Sequence, residues 1–226
     1  MRAVSTFVST FVSLAILAGA PLHAQLSLVR HAERVYANIK TLRASFTQTV
    51  TNPLTGSDVT SHGVLQQRIP GDVSVTFTDP AGDRIVANGK VVWVYLPSTN
   101  PGQVMRTNLD SGNVEVPDVA TWFLHSPETR YTMTNAGSAT VDGHTTTAIM
   151  LVPKDPSLPF QKATIWVDDD DALIRQVETI DTQGLKRRIL LTRLTPNATL
   201  DKDAFVFKVP RGAKVYGGGE AGAARP

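Results

Sequence analysis

The chain has 226 residues, of which 42% are hydrophobic, so it is long enough to bury one sizeable core. Its 22 basic and 20 acidic side chains nearly balance, which gives no electrostatic indication of a nucleic-acid partner. Cysteine is absent, which excludes disulfides, thiol catalysis, thiolate metal sites and lipid attachment to an N-terminal cysteine of this protein.

The first 24 residues have the pattern of a secretory signal peptide. Arg2 supplies the only lysine or arginine of this stretch, an apolar run follows over residues 7–20, and Ala24 offers a small residue before Gln25. An uncleaved membrane anchor is the alternative, although the apolar run is short for a span. We therefore expect an exported protein with one folded domain over residues 25–216 and a disordered tail over residues 217–226.

Residues 26–42 show the periodicity of an amphipathic helix. Apolar residues recur at steps of three and four and form one narrow stripe: Leu28, Ala32, Val35, Ile39 and Leu42. The other side is polar and includes His31, which we interpret as a solvated histidine. The stripe predicts a helix that docks onto a sheet.

Strand signals then run from residue 45 to residue 108. Val73, Val75 and Phe77 alternate with polar residues, which is typical of a half-buried strand. Asn88-Gly89 separates two apolar runs and predicts a hairpin turn. The run over residues 91–95 is apolar on both faces, so both faces must be covered or one must hold an apolar ligand.

Residues 117–124 interrupt the strand signals and predict a short helix that begins at Pro117. Its Trp122, Phe123 and Leu124 are predicted to be buried in the core or to line a pocket. Strand signals resume at residue 131, where residues 131–134 and 139–141 predict two separate strands, and continue to residue 194, with a last short strand predicted over residues 205–209. This order predicts a mainly β protein with some α: a single unclosed antiparallel β-barrel, or half-barrel, covered by an N-terminal amphipathic helix and a short helical lid.

The sequence contains no complete motif for catalysis or for cofactor binding. The aspartates at residues 168–171 are followed by Ala172, where a calcium loop of the EF type needs glycine, so we interpret them as a solvated hairpin tip. No histidine pair has metal-ligand spacing, and no phosphate-binding loop or nucleophile elbow is present. We therefore expect no catalytic residues, no metal site and no cofactor.

Several segments, taken in order, resemble a known family. They are Ala44-Ser45-Phe46-Thr47-Gln48, Gly63-x-Leu65, Asn88-Gly89-Lys90-x-x-Trp93-x-Tyr95 and Phe205-x-Phe207-x-Val209-Pro210-x-Gly212. Together they resemble the outer-membrane lipoprotein carriers, the periplasmic LolA proteins, over roughly residues 26–216.

The resemblance implies a periplasmic, monomeric carrier that is not an enzyme. It would shield the acyl chains of lipoproteins, receive them from an inner-membrane ATP-driven releasing complex and pass them to an outer-membrane acceptor. One alternative is a periplasmic lipid-binding or lipoprotein-sensing module of the same fold. Sensing regulators usually add a second domain, for which this chain has no room. An unrecognised secreted hydrolase is a further alternative.

The predicted site has two parts. The lipid-binding cavity is predicted to be lined by apolar side chains of the strands and of the short helix: Phe46, Leu65, Val73, Val75, Phe77, Trp93, Trp122, Phe123, Leu124, Met150 and Trp166. The lid is predicted to involve Leu28, Val35, Ile39 and Arg68. Relatives usually carry a lid-holding arginine directly before the proline that is Pro70 here, but this chain has Ile69 there and Arg68 one residue earlier. A shift of one residue moves a strand side chain to the other face unless a bulge restores it.

Overall fold

A computed structural model describes residues 22–109 and 122–217, with side chains from residue 27 onward. We label its helices α1 (Leu22–Ala37) and α2 (Pro127–Arg130). The strands are β1 (Thr41–Thr51), β2 (Asp58–Arg68), β3 (Asp72–Asp79), β4 (Ala81–Asn88), β5 (Val91–Tyr95), β6 (Gln103–Asn108), β7 (Tyr131–Val141), β8 (His144–Pro153), β9 (Lys162–Asp168), β10 (Ile174–Ile180), β11 (Lys186–Pro196) and β12 (Lys214–Tyr216). Most of the predicted signal peptide, the start of the predicted short helix and nearly all of the predicted tail lie outside the described residues.

The strands form one 12-stranded sheet in the order β12-β6-β5-β4-β3-β2-β1-β11-β10-β9-β8-β7. The end strands β7 and β12 are not neighbours in this order, so the sheet is open. Every neighbouring pair is antiparallel except β12 and β6, which are parallel. The predicted fold class, an unclosed and mainly antiparallel sheet with an N-terminal helix, is confirmed.

Two strand predictions differ from the structure. Residues 131–141 were predicted as two strands but form the single strand β7, which is bent by an irregularity between Asn135 and Gly137. Residues 205–209 were predicted as a strand but pair with no other strand, and the last strand is β12.

Helix α1 packs on one face of the sheet, which we call the inner face. Val29, Ala32 and Tyr36 are fully or almost fully buried, and they share one buried cluster with residues of β8–β10: Ile149, Leu151, Ile165, Val167 and Val177. Ala32 is buried as predicted, but Val29 and Tyr36 take the places expected for Leu28 and Val35, which lie half-buried at the margin of the stripe. The difference has a simple cause, since neighbouring rows on a helix share the same three-and-four spacing. The helix also ends earlier than predicted, at Ala37, so Ile39 follows it and Leu42 lies on β1. The hydroxyl of Tyr36 also accepts a hydrogen bond from the backbone N–H of Ile174 at 3.1 Å.

The opposite, outer face of β1–β5 is crossed by residues 197–213, which we call the C-terminal segment. Arg84 donates from Nη2 to the carbonyl of Ala204 at 2.9 Å. The ring of Phe207 stacks on Trp93 of β5 at 5.3 Å between ring centroids. This segment covers the outer apolar side chains of β5 and explains why that strand is apolar on both faces.

Within the part of the chain that the structure describes, no helix combines the length and the apolar character that a membrane crossing would require.

Candidate functional site

The half of the inner face that lies beyond α1 carries a continuous apolar surface, which we call the inner wall. The register of β11, β1, β2, β3, β4 and β5 brings its side chains onto one face. Its members are Ala44, Phe46, Leu65, Val73, Val75, Phe77, Ile85, Ala87, Val92, Val94, Ile189 and Leu191. Leu65, Val75, Phe77, Ile85, Val94 and Ile189 are only partly buried. The structure therefore brings together the first five predicted cavity residues, Phe46, Leu65, Val73, Val75 and Phe77.

Gly63 shapes the middle of the inner wall. It lies on β2 between Phe46 on one neighbouring strand and Phe77 on the other. A Cβ atom at this position would meet the carbonyl oxygen of Thr76 at 2.4 Å and the ring of Phe46 at 2.6 Å, closer than real Cβ contacts come. The missing side chain lets the rings of Phe46 and Phe77 approach edge to face, with centroids 5.3 Å apart.

Trp122, Phe123 and Leu124 join the buried cluster between α1 and strands β8–β10, which we call the helix-covered core, rather than the inner wall. Phe123 and Leu124 are buried there, and Trp122 packs against it. The indole of Trp122 stacks on Phe160 with centroids 5.8 Å apart. The hydroxyl of Tyr131 donates to the backbone carbonyl of Trp122 at 2.6 Å and ties this segment to β7. No sequence pattern identifies Phe160 as a core residue, because it lies in a connection without periodic pattern.

Three predicted cavity residues lie on the outer face, which corrects their assignment. Trp93 pairs across the ladder with Val86, and both lie opposite to the face of Val75. Trp166 pairs with Ala148 and Met150 with Thr164, and both pairs again face away from α1. In a strand with apolar residues on both faces, the pattern alone does not tell which set points inward.

Helix α1 and residues 122–130, which include the end of the predicted short helix, lie next to one another. Leu28 and Val35 are half-buried against the helix-covered core, and Ile39, which follows the helix, is buried in it. Arg30 of α1 donates to the carboxylate of Glu128 in α2 at 2.6 Å. The hydrogen bond from Arg30 holds the pKa of Glu128 below its usual value. The carboxylate of Glu33 accepts a second bond, from the N–H of Ser126 at 3.4 Å.

Arg68 does not reach the lid, which corrects its assignment there. It lies on the outer face, where Nε is 2.8 Å from the carboxylate of Asp72 and the guanidinium is 4.9 Å from the ring centre of Phe205. The irregularity in the pairing of β2 with β3 lies at His62 and Gly63, too far along the strand to turn Arg68 inward. Ile69 is the residue that packs against the helix-covered core.

A polar network lies at the turn between β9 and β10, where the run of four aspartates predicts a solvated hairpin tip. Asp168 is instead only 1% exposed. Its carboxylate accepts a hydrogen bond from Arg175 Nε at 2.8 Å, and Nδ1 of His144 lies 2.7 Å away. Burial acts to raise the pKa of Asp168, but the bonds from the Asp170 N–H and from Arg175, with the charges of Arg175 and His144, hold it below its usual value.

A cleft of about 610 Å³ opens beside this network. Its walls are Val35 and Ile39 at the end of α1 on one side, and His144, Arg175 and Arg193 on the other. Within the described residues, no group of three or more histidine, aspartate or glutamate side chains is placed to hold a metal ion. Two of the groups around the cleft take part in the network: His144 is paired with Asp168, and Arg175 with Asp168 and Asp171. These contacts join the β9–β10 turn to the start of β8.

An open half-barrel whose inner face is partly covered by an amphipathic helix, and is apolar beyond it, is the kind of fold that can hold an apolar ligand between sheet and helix. The sequence identifies the family to which the chain belongs. It belongs to the family of the outer membrane lipoprotein carrier protein LolA, whose sequence profile matches residues 37–208.

Similar proteins agree with this family. The outer-membrane lipoprotein carrier protein of Chromobacterium violaceum is 28% identical over 204 residues, which cover 90% of this chain and 94% of that relative. The protein of the same name from Neisseria meningitidis serogroup B is 25% identical over 205 residues and covers 91% and 94%. An uncharacterised conserved protein of Thermus thermophilus has a similar fold, with a TM-score of 0.55 at 11% identity, covering 86% of this chain and 99% of that one.

Proposed function

We propose that this protein is a periplasmic carrier of acylated lipoproteins and that it holds their acyl chains against the inner wall. The observation that supports the proposal best is the inner wall itself, since six of its large apolar side chains remain only partly buried beside a helix-covered core. The part of these side chains that remains accessible is apolar area, and its burial by a ligand or a partner is favourable. Membership of the family supplies the class of cargo.

The need for such a carrier follows from the hydrophobic effect. Burial of a methylene group is worth about 0.8 kcal/mol, so exposure of one acyl chain of about fifteen carbons costs on the order of 12 kcal/mol. A lipoprotein therefore cannot cross an aqueous compartment unless its chains are covered. In this proposal α1 and residues 122–130 form a lid, and cargo replaces part of the contact between the lid and the sheet. The net free-energy change can then be small, as reversible loading requires.

The proposal also covers the export of the protein, the complex that supplies its cargo and the acceptor that receives it. The signal-like first 24 residues direct the chain out of the cytoplasm. The carrier, acting as a monomer, takes lipoproteins from an inner-membrane ATP-driven releasing complex and delivers them to an outer-membrane acceptor. It performs no chemistry on the cargo.

The proposal is tested by mass spectrometry under native conditions on the protein purified from its own periplasm. Triacylated protein should co-purify with the wild-type chain. Free lipid in its place would favour the lipid-binding alternative, and the absence of any acylated species would contradict the proposal.

Two variants of β3 make the test specific to the inner wall. Phe77→Glu places a charge on the inner face, whereas Thr76→Glu places the same charge on the exposed outer side of the same strand. Phe77→Glu should lose the co-purifying cargo and Thr76→Glu should keep it. Equal loss in both variants, with both folded, would show that the inner wall is not the binding surface.

A further inference from the structure

Four buried side-chain atoms in the described part of the chain lack a hydrogen-bond partner: Gln67 Nε2, Ser74 Oγ, Arg84 Nε and Trp122 Nε1. A buried polar atom without a partner is uncommon and costly, so each of them calls for an explanation. Ser74 and Arg84 lie on the outer face, on the strands that the C-terminal segment crosses. Gln67 and Trp122 lie on the inner side of the molecule, where the proposed cargo binds.

Gln67 has apolar neighbours across both ladders. It pairs with Leu42 on β1 and with Val73 on β3, and all three side chains point to the inner face. Leu42 belongs to the helix-covered core and Val73 to the inner wall, so the amide of Gln67 lies where these two regions meet. It is 2% exposed.

The adjacent residue of the same strand, Gln66, is a glutamine whose side-chain amide has hydrogen-bond partners. Gln66 points to the outer face, donates from Nε2 to the carboxylate of Asp201 at 2.8 Å and accepts from the Asp201 N–H at 3.0 Å. Gln67 has no such partner for its Nε2 atom. A leucine or methionine at position 67 would fill similar space without this cost, so the fold alone does not explain the amide.

We propose that Nε2 of Gln67 donates a hydrogen bond to the carbonyl oxygen through which an acyl chain is joined to its cargo. This inference rests on the proposed function. An acyl chain is apolar except at the ester or amide carbonyl at its head, and that oxygen only accepts hydrogen bonds, which matches an unpaired N–H donor. The bond would fix how far the chain extends along the inner wall, with its head at the border of the helix-covered core.

The carbonyl reaches Gln67 only when the groups that cover this border move, since the side chain is almost fully buried in the present structure. Trp122, whose indole Nε1 is the second unpaired donor on this side, belongs to the proposed lid. Gln67 is thus a specificity-determining residue that distinguishes an acyl group from a plain hydrocarbon chain.

The test compares two uncharged probes that differ at the carbonyl, monopalmitoyl glycerol and its ether analogue hexadecyl glycerol. Their affinities for the full mature chain are measured by calorimetry below the concentration at which either probe forms micelles. The wild-type protein should bind the ester about tenfold more tightly than the ether, the preference that one buried neutral hydrogen bond can give. Gln67→Leu should bring the ratio to about one and leave the affinity for the ether unchanged.

Two further variants serve as controls for this test. Gln67→Met removes the same amide with an unbranched side chain and replaces Gln67→Leu if the latter does not fold. Ser74→Ala removes an unpaired polar atom on the outer face and should keep the preference of the wild type. A wild-type protein that binds both probes equally, or a Gln67 variant that keeps the preference, would overturn this inference and leave the carrier function standing. A wild-type protein that binds neither probe would overturn both.

Discussion

Asp168 is an almost fully buried carboxylate at the end of β9, where Arg175 and His144 both reach its Oδ2 atom. Arg175 is itself only 6% exposed. Two buried charges stabilise a fold only while they remain paired, because either one alone has lost its hydration without compensation. The network therefore makes the β9–β10 turn sensitive to the loss of a single carboxylate, even though Asp171 also contacts Arg175.

Asp168→Asn should lower the free energy of unfolding by about 3 kcal/mol at neutral pH, because it leaves Arg175 with one carboxylate fewer. The pKa of Asp168 is lower in the folded chain than in the unfolded chain, where it takes the ordinary value near 3.9. Its contribution is thus fully present above that ordinary value and disappears as the pH falls through the lowered folded pKa. Urea denaturation at pH 7 and at about pH 3 should show the difference from wild type shrinking.

Asp170→Asn is the matched control for this residue. The Asp170 side chain is exposed, and only its backbone N–H takes part in the network, so the change should stay within about 0.5 kcal/mol. If Asp168→Asn costs no more than Asp170→Asn, the buried network does not stabilise the turn.

At the scale of elements, α1 is held in two ways. Its buried stripe packs on β7–β10, and its polar side is joined to residues 126–130 through Arg30 and Glu33. The contact between Arg30 and Glu128 lies at the surface, with both side chains about half exposed. An exposed ion pair adds little stability, so this contact holds α1 in position only weakly. If α1 acts as the proposed lid, weak polar contacts of this kind allow it to open.

Arg30→Gln should loosen α1 without unfolding the sheet. Backbone amides of α1 should exchange with deuterium faster than in the wild type, as followed by mass spectrometry, and the effect should diminish at high salt. Because the pKa of Glu128 is lowered by Arg30, the contact is present at neutral pH and weakens only as the pH falls through that lowered value.

Arg34→Gln makes the same change of charge on the same helix at another exposed position. It should leave the exchange of α1 close to that of the wild type. Equal acceleration in both variants would mean that net charge, rather than the contact with Glu128, determines the stability of the helix.

Local sequence patterns predicted which helices and strands form, but did not always predict which of their faces is buried. The alternation over residues 73–77 identified the inward set, and Asn88-Gly89 marked a real hairpin between β4 and β5. Tyr36 was missed because an adjacent row of the helix fits the same spacing. Residues 205–209 alternate as a strand does, yet Phe205 and Phe207 meet Arg68 and Trp93 instead of a ladder partner. Such contacts join residues far apart in the chain, so they follow from the assembled sheet alone.

At the scale of the whole molecule, the two faces of the sheet are covered by different parts of the chain. The C-terminal segment closes the outer face over β1–β5, and it is tied down by Arg84 and by the stacking of Phe207 on Trp93. On the inner face, α1 covers one half, and the other half is the inner wall. In the proposed carrier, cargo therefore enters from one side only.

The three tryptophans of the chain report on these faces separately. Trp122 packs against the helix-covered core, whereas Trp93 and Trp166 lie on the outer face. In three variants that each keep one tryptophan and carry phenylalanine at the other two positions, an added acyl probe should change the emission of the Trp122 protein. The emission of the Trp93 and Trp166 proteins should stay the same, because no ligand reaches their surroundings.

Phe207→Ala in the Trp93 variant provides the positive control. Removal of the stacked ring exposes the indole to water and should shift its emission to longer wavelength without any lipid. If the emission of Trp93 changes with this substitution but not with the acyl probe, Trp93 is a working reporter and the ligand does not change its surroundings. If the Trp93 or Trp166 protein responds to the acyl probe as strongly as the Trp122 protein, lipid binds on the outer face or reshapes the whole sheet, and the division of roles between the two faces fails.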